Sequence, residues 1–160
     1  MKTTLLSTTL SLLALIGCTD KPTTVPPLNH TAALTGALPH NPLAWRAITS
    51  SFNQQAFTMS TLYGNDAAVQ YARTNPDHNY PSGAVLSLVT WSQREDPHWF
   101  GARIPGPVKS VEFVTVSQSP GQNPTYAYER YEDSPLKKTT VTDPTTRINY
   151  ILFQRAAVTP

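Results

Sequence analysis

The stretch Tyr80-Pro81-Ser82-Gly83-Ala84-Val85-Leu86-Ser87-Leu88-Val89-Thr90-Trp91 decides the fold class. Tyr80 to Gly83 has the proline and glycine of a turn. Ala84 to Trp91 then runs without a breaker, rich in β-branched and apolar residues. A strand sends alternate side chains to opposite faces. One face therefore carries Val85, Ser87, Val89 and Trp91, the other Ala84, Leu86, Leu88 and Thr90. Apolar residues on both faces mark a strand inside a sheet, covered on both sides.

Working outward, Phe57 to Tyr63 alternates and predicts a strand that Gly64 ends. Asn65 is a suitable helix N-cap, Asp66 suits a first turn, and Ala67, Ala68, Tyr71 and Ala72 form a small-residue face. A helix is expected from Asn65 to Arg73, stopped by Thr74-Asn75-Pro76-Asp77. On the other side, Ser92 to Pro107, with three prolines and two glycines, reads as a long loop. Val108 to Ser117 reads as a strand with Val111 and Phe113 on one face and Val114 and Val116 on the other phase. Ser119 to Pro124 is a broad turn, and Thr125 to Tyr131 is a further strand, with Tyr126 and Tyr128 on one face. Asp133 to Thr146 is polar and reads as disorder-prone. Arg147 to Arg155, with Ile148, Tyr150 and Leu152 alternating against Ile151 and Phe153, is expected as the last strand. Trp45, Ile48 and Phe52, at spacings of three and four, predict a short helix or turn over Leu43–Phe52. The expectation is a mainly β (α+β) fold: an antiparallel five-stranded sheet with one or two short helices.

Composition narrows the classes. The chain has 160 residues, enough for one domain with a core of its own. Its 15 prolines are far above the usual ~5% and argue against a helical bundle. A formal net charge of +2 is too small for an electrostatic nucleic-acid binder. The single cysteine excludes a disulfide framework, a multi-cysteine zinc site and a haem held by two thioethers. No HExxH, GxSxG, P-loop or GxGxxG pattern occurs, so no catalytic residue and no metal site are assigned.

That one cysteine has an informative place. Residues 1–17 combine Lys2 with a mostly apolar run, Leu5 to Ile16, too short to span a bilayer and of secretory-signal character. The end of this segment, Leu15-Ile16-Gly17-Cys18, resembles the bacterial lipoprotein box. The resemblance implies lipidation of Cys18, with palmitate among the acyl groups, after removal of a signal peptide at 1–17. Residues 18–38 are then the lipidated cysteine and a flexible, proline-rich linker, and residues 39–160 the domain. Thr19, rather than Asp, follows the cysteine, which implies the outer membrane, facing the periplasm. The expected partner is thus the membrane, through a lipid anchor.

Within the domain, Tyr80-Pro81-Ser82-Gly83-Ala84-Val85-Leu86 leading to Trp91, Gly64-Asn65 with Ala67-Ala68, and Ile104-Pro105-Gly106 followed by Val111-Glu112-Phe113 occur in an order and spacing that resemble the cytochrome P-460 domain family. That family includes a β-sheet type of cytochrome c′, and the resemblance covers roughly residues 43–155. It implies the sheet fold, and it implies a homodimer. Haem members attach the cofactor through a C-x-x-C-H motif shortly before the last strand. Here that place is Asp133–Thr146, without Cys or His, and no His follows His98. Two thiols and an imidazole are what a covalent c-type haem requires, so the expected cofactor set is empty of covalent haem.

A pocket is expected around His98, with Trp91, Trp99, Phe100 and Arg103, the space of a lost cofactor either filled by aromatic side chains such as Trp91, Trp99 and Phe100 or kept as an apolar pocket. His40 and His78 beside proline turns, and His30 in the linker, are read as surface residues. Two functions follow from these features. One is a lipid-anchored module without covalent haem that binds a small ligand or a partner. The other is an oxidoreductase-type protein holding haem non-covalently, with His98 as a ligand.

Overall fold

A computed structural model describes residues 28–157. Six strands form a single sheet in chain order, every neighbouring pair antiparallel. They are β1 (Arg46–Asn53), β2 (Thr58–Gly64), β3 (Val85–Glu95), β4 (Arg103–Ser117), β5 (Thr125–Glu132) and β6 (Lys137–Thr139). Helix α1 (Asp66–Thr74) lies between β2 and β3, and α2 (Thr145–Leu152) follows β6.

The central strand is the one the opening stretch predicts. Leu86, Leu88 and Ala84 enter one core with Ile48, Leu62, Val114 and Val116, and α1 and α2 cover it with Ala68, Val69, Ile151 and Leu152. Val89 and Trp91 enter a second core on the opposite face with Met59, Val111, Phe113, Tyr131 and Leu136. Asn65 caps α1 as expected, its Oδ1 accepting from Ala68 N at 3.0 Å. Gly64 precedes it where a Cβ would stand 2.9 Å from Ala68 Cβ and 2.9 Å from Ile48 Cδ1, so only glycine lets the helix turn in so closely.

The structure corrects five expectations. Arg147–Arg155 is not a strand: Thr145–Leu152 is α2. Its run of apolar residues satisfies both periods, and Ile148, Ile151 and Leu152, at helical spacing, face the first core. Asp143 Oδ1 accepts from Thr145 N at 3.0 Å and helps to start it. Leu43–Phe52 is not a helix: a 3-10 turn at Pro42–Ala44 leads into β1. A bulge between Ala47 and Thr49 breaks the period of two, which brings Ile48 into the core and imitates a three-and-four spacing.

Ser92–Pro107 is mostly strand, because β3 runs on to Glu95 and β4 starts at Arg103. Its prolines are tolerated there, since β5 pairs with β4 only from Ser110 onward and leaves 103–109 an edge. Asp133–Thr146 contains β6 and a buried Leu136; with Arg147–Arg155 lost as a strand and β1 and β6 gained, the sheet has six strands in place of the expected five. Residues 28–38 of the expected flexible linker are docked: Ala32, Leu34 and Leu38 pack on the second core, Trp91 Nε1 donates to Ala32 O at 3.0 Å, and Gly36 bridges Leu136. Cys18 and the remainder of that linker lie outside the described residues.

Candidate functional site

Apolar side chains stop halfway along the helix-covered face of the sheet. Pairing across the strands aligns Leu62, Leu88 and Glu112 in one row, then Ser60, Thr90 and Ser110 in the next. α2 lies over the apolar rows and stops short of the polar ones. The result is a polar trough floored by Ser60, Thr90 and Ser110, whose first two hydroxyls share a hydrogen bond at 2.9 Å.

Two adjoining hollows of about 580 and 730 Å³ make up the trough, and Thr90 and Arg147 line both. The first reaches Phe52, the β1–β2 turn and Tyr150; the second reaches Lys109, Arg130, Glu132 and Asp133.

Glu112 organises the site. Only 1% of its surface is exposed, between Val111 and the buried Phe113 and Val114 of β4. A buried carboxylate needs its charge and its lone pairs met. Arg147 of α2 meets both oxygens, donating from Nη2 to Oε1 at 2.6 Å and from Nε to Oε2 at 2.9 Å. The Tyr128 hydroxyl donates to Oε2 at 2.5 Å. This two-pronged geometry is the strong form of a charge-assisted pair. Burial and the hydrogen bond to Glu112 push the Tyr128 hydroxyl up to about 12, so it stays a donor. The same carboxylate holds the Arg147 guanidinium above its ordinary value. Arg130 comes within 4.0 Å of Glu112 and pairs with Glu132 at 2.6 Å. Arg147 and Arg130 thus each have a carboxylate, and the trough is polar with its central charges matched internally.

The predicted pocket is not assembled. Trp91 is buried in the second core. His98, Trp99 and Phe100 stand exposed at the tip of the β3–β4 hairpin, Trp99 at 73% and Phe100 fully. Arg103 pairs with Glu95 at 3.5 Å at the tip's base. The space is therefore not closed by Trp99 or Phe100. His40 stays exposed but stacks on Trp45 with ring centroids 5.2 Å apart, and His78 stacks on Phe153 at 5.0 Å.

Sequence reading passed over Glu112, Arg147 and Tyr128 as functional groups. A signal was present for two of them: a carboxylate between Val111 and Phe113, and an arginine beside Ile148, are charges inside apolar runs. Their pairing across 35 positions was not readable.

An antiparallel meander carrying two helices on one face and a polar trough beside the second helix is the architecture into which this chain falls. Compared with known families, residues 39–150 match the cytochrome P-460 model, and the chain belongs to the cytochrome P-460 family. No curated protein matches it. The match includes Asp133–Thr146, the segment without cysteine or histidine.

Proposed function

We propose that this protein is a lipid-anchored module of the bacterial cell envelope that binds a small polar ligand in the trough beside α2, without covalent haem. The observation that carries the reading is the Glu112–Arg147–Tyr128 network. It spends a buried carboxylate, an arginine and a tyrosine on one preorganised polar wall of an open hollow. Ligand sites combine a concave shape with a few fixed polar groups, and this trough has both. The matched charges favour a ligand without net charge, held by the hydroxyls of Ser60, Thr90 and Ser110.

The lining does not fit haem. It contains no thiol, thioether or imidazole, its one lining phenol, Tyr150, has its ring under the Arg147 guanidinium at 4.8 Å, and its floor of hydroxyls and ion pairs has no apolar slot for a macrocycle. The anchor is supported by Leu15-Ile16-Gly17-Cys18 and the proline-rich run after it.

The test is native mass spectrometry of full-length protein extracted from its own membrane. Wild type is expected to carry a small-molecule adduct that Thr90→Trp, filling the middle of the trough, loses. Cys18→Ser is expected to leave the membrane fraction, and a haem-stained denaturing gel is expected to be blank. A stoichiometric Soret band abolished by His98→Ala would overturn the ligand reading in favour of non-covalent haem.

A further inference from the structure

One end of the sheet is unlike the other. At it stand the β1–β2 turn with Phe57, exposed at 63%, and the β3–β4 tip with Trp99 and Phe100. Asp96 N donates to Ala102 O at 3.0 Å and Ala102 N to Trp99 O at 3.1 Å, which closes the tip, and among the described residues nothing covers the two aromatic rings. Gly101 takes the positive φ of 78° that the turn requires. At the opposite end the β4–β5 turn from Gln118 to Pro124 carries no aromatic residue, and the exposed Phe153 near it is stacked on His78 rather than bare.

The N-terminal segment arrives at the aromatic end. Asn29 donates from Nδ2 to Pro105 O at 2.7 Å and accepts from Arg94 Nη2 at 3.0 Å. Leu28, 80% exposed, lines a hollow with Asp96, Pro97 and His98 at the base of the tip. From Cys18 to Leu28 the chain reaches at most about 35 Å at ~3.3–3.6 Å per residue. From Pro105 to Ser117 β4 extends about 40 Å at ~3.3 Å per residue. An anchor at Cys18 therefore holds Leu28, and with it the base of the aromatic tip, within about 35 Å of the bilayer, less than the length of β4.

We infer that the Trp99–Phe100 tip, with Leu28 and Phe57 beside it, is a membrane contact that seats in the headgroup–acyl boundary and orients the anchored domain. This inference rests on lipidation of Cys18, proposed above. Tryptophan and phenylalanine suit that boundary, where an apolar ring has cover and an indole N–H has a polar partner. At the tip's base two carboxylates, Glu95 and Asp96, equal two guanidiniums, Arg94 and Arg103, in number; Arg103 pairs with Glu95 at 3.5 Å, and Arg94 donates to the uncharged Asn29. The contact is therefore apolar and needs no anionic lipid. The trough, whose rim includes the β1–β2 turn and Asp133 at the same end of the sheet, opens next to the bilayer surface.

The experiment uses full-length lipidated protein reconstituted into neutral phosphatidylcholine vesicles with brominated acyl chains, which quench nearby indoles. Trp91 is buried and Trp45 half-buried, so quenching reports Trp99. Expected are a blue shift and quenching of the emission, both lost in Trp99→Phe. The double variant Phe57→Ser/Phe100→Ser is expected to weaken the quenching of Trp99 without loss of its acyl chains. Intact-mass measurement of the acyl chains on Cys18 separates the two readings. Acylated protein whose Trp99 is unquenched overturns the tip contact and leaves the anchor standing. Protein without acyl mass overturns both. Quenching replaced by concentration-dependent self-association assigns the tip to a second copy of the chain and overturns the membrane contact.

Discussion

Glu112 shows how one residue ties a helix to a sheet. Its carboxylate is sealed from solvent, so its stability depends on Arg147 and Tyr128 rather than on water. Breaking a fully buried ion pair by removing one partner costs roughly 3–5 kcal/mol, because a charge is left behind. The Arg147 side chain is 36% exposed, so water softens its loss. Arg147→Met is expected to lower the unfolding free energy by about 2–3 kcal/mol, read from urea titration. Glu112→Leu with Arg147→Met removes both charges and is expected to lose less than half as much. Equal losses in the single and double variants would show that packing of the arginine stem, not the stranded carboxylate, sets the cost.

At the scale of elements, Asn65 joins α1 to β3. Its Oδ1 accepts from Ala68 N at 3.0 Å and from Val85 N at 3.1 Å, and its Nδ2 donates to Gly83 O at 2.8 Å. One side chain thus caps a helix and pins the start of the central strand. Loss of an N-cap alone costs about 0.5–2 kcal/mol. Asn65→Ala is expected at or above the upper end, a fall in Tm of about 5 °C or more. Asn65→Asp keeps both acceptor bonds and loses only the donor to Gly83, so its Tm is expected to fall between those of Asn65→Ala and the wild type. Asn65, Asp66 and the small residues after them made this helix legible in sequence. The elements that were not legible share a different physics. α2 has an apolar run compatible with either period, and it is a helix because β5 already pairs with β6 and the first core needs a cover. β1 hides behind its bulge at Ile48.

For the whole molecule, two phenols on the helix-covered face, Tyr80 buried and Tyr128 half-buried, contribute to the loss of stability at alkaline pH. Burial, with a smaller effect of Tyr71, pushes Tyr80 up to about 12; burial and Glu112 do the same for Tyr128. A tyrosine in the unfolded chain ionises near ~10. Below that pH both states hold these protons and stability is unaffected by them. Between pH 10 and 12 the unfolded state releases protons that the folded state keeps, so stability falls as pH rises. Urea midpoints are expected to be level up to pH 10 and to drop beyond it, with a shallower drop in Tyr128→Phe. A midpoint that is flat to pH 12 would mean that both hydroxyls ionise freely in the folded protein.

The sequence by itself determined the antiparallel sheet, the central strand at Ala84–Trp91, the helix after Gly64-Asn65 and the family to which residues 39–150 belong. Those features are local: alternation, caps and breakers act over a few residues and leave their mark in order and spacing. The trough, the docking of residues 28–38 and the exposure of the aromatic tip appear only in the folded chain. Each depends on groups far apart in the chain. Glu112 is an odd charge in a strand until α2 brings Arg147 to it, and Ala32 is linker until the Trp91 indole finds its carbonyl. Trp99 and Phe100 read as core filling because aromatic rings usually are. They are exposed because the β3–β4 hairpin outruns its neighbours, and among the described residues no strand, helix or loop extends far enough to cover them.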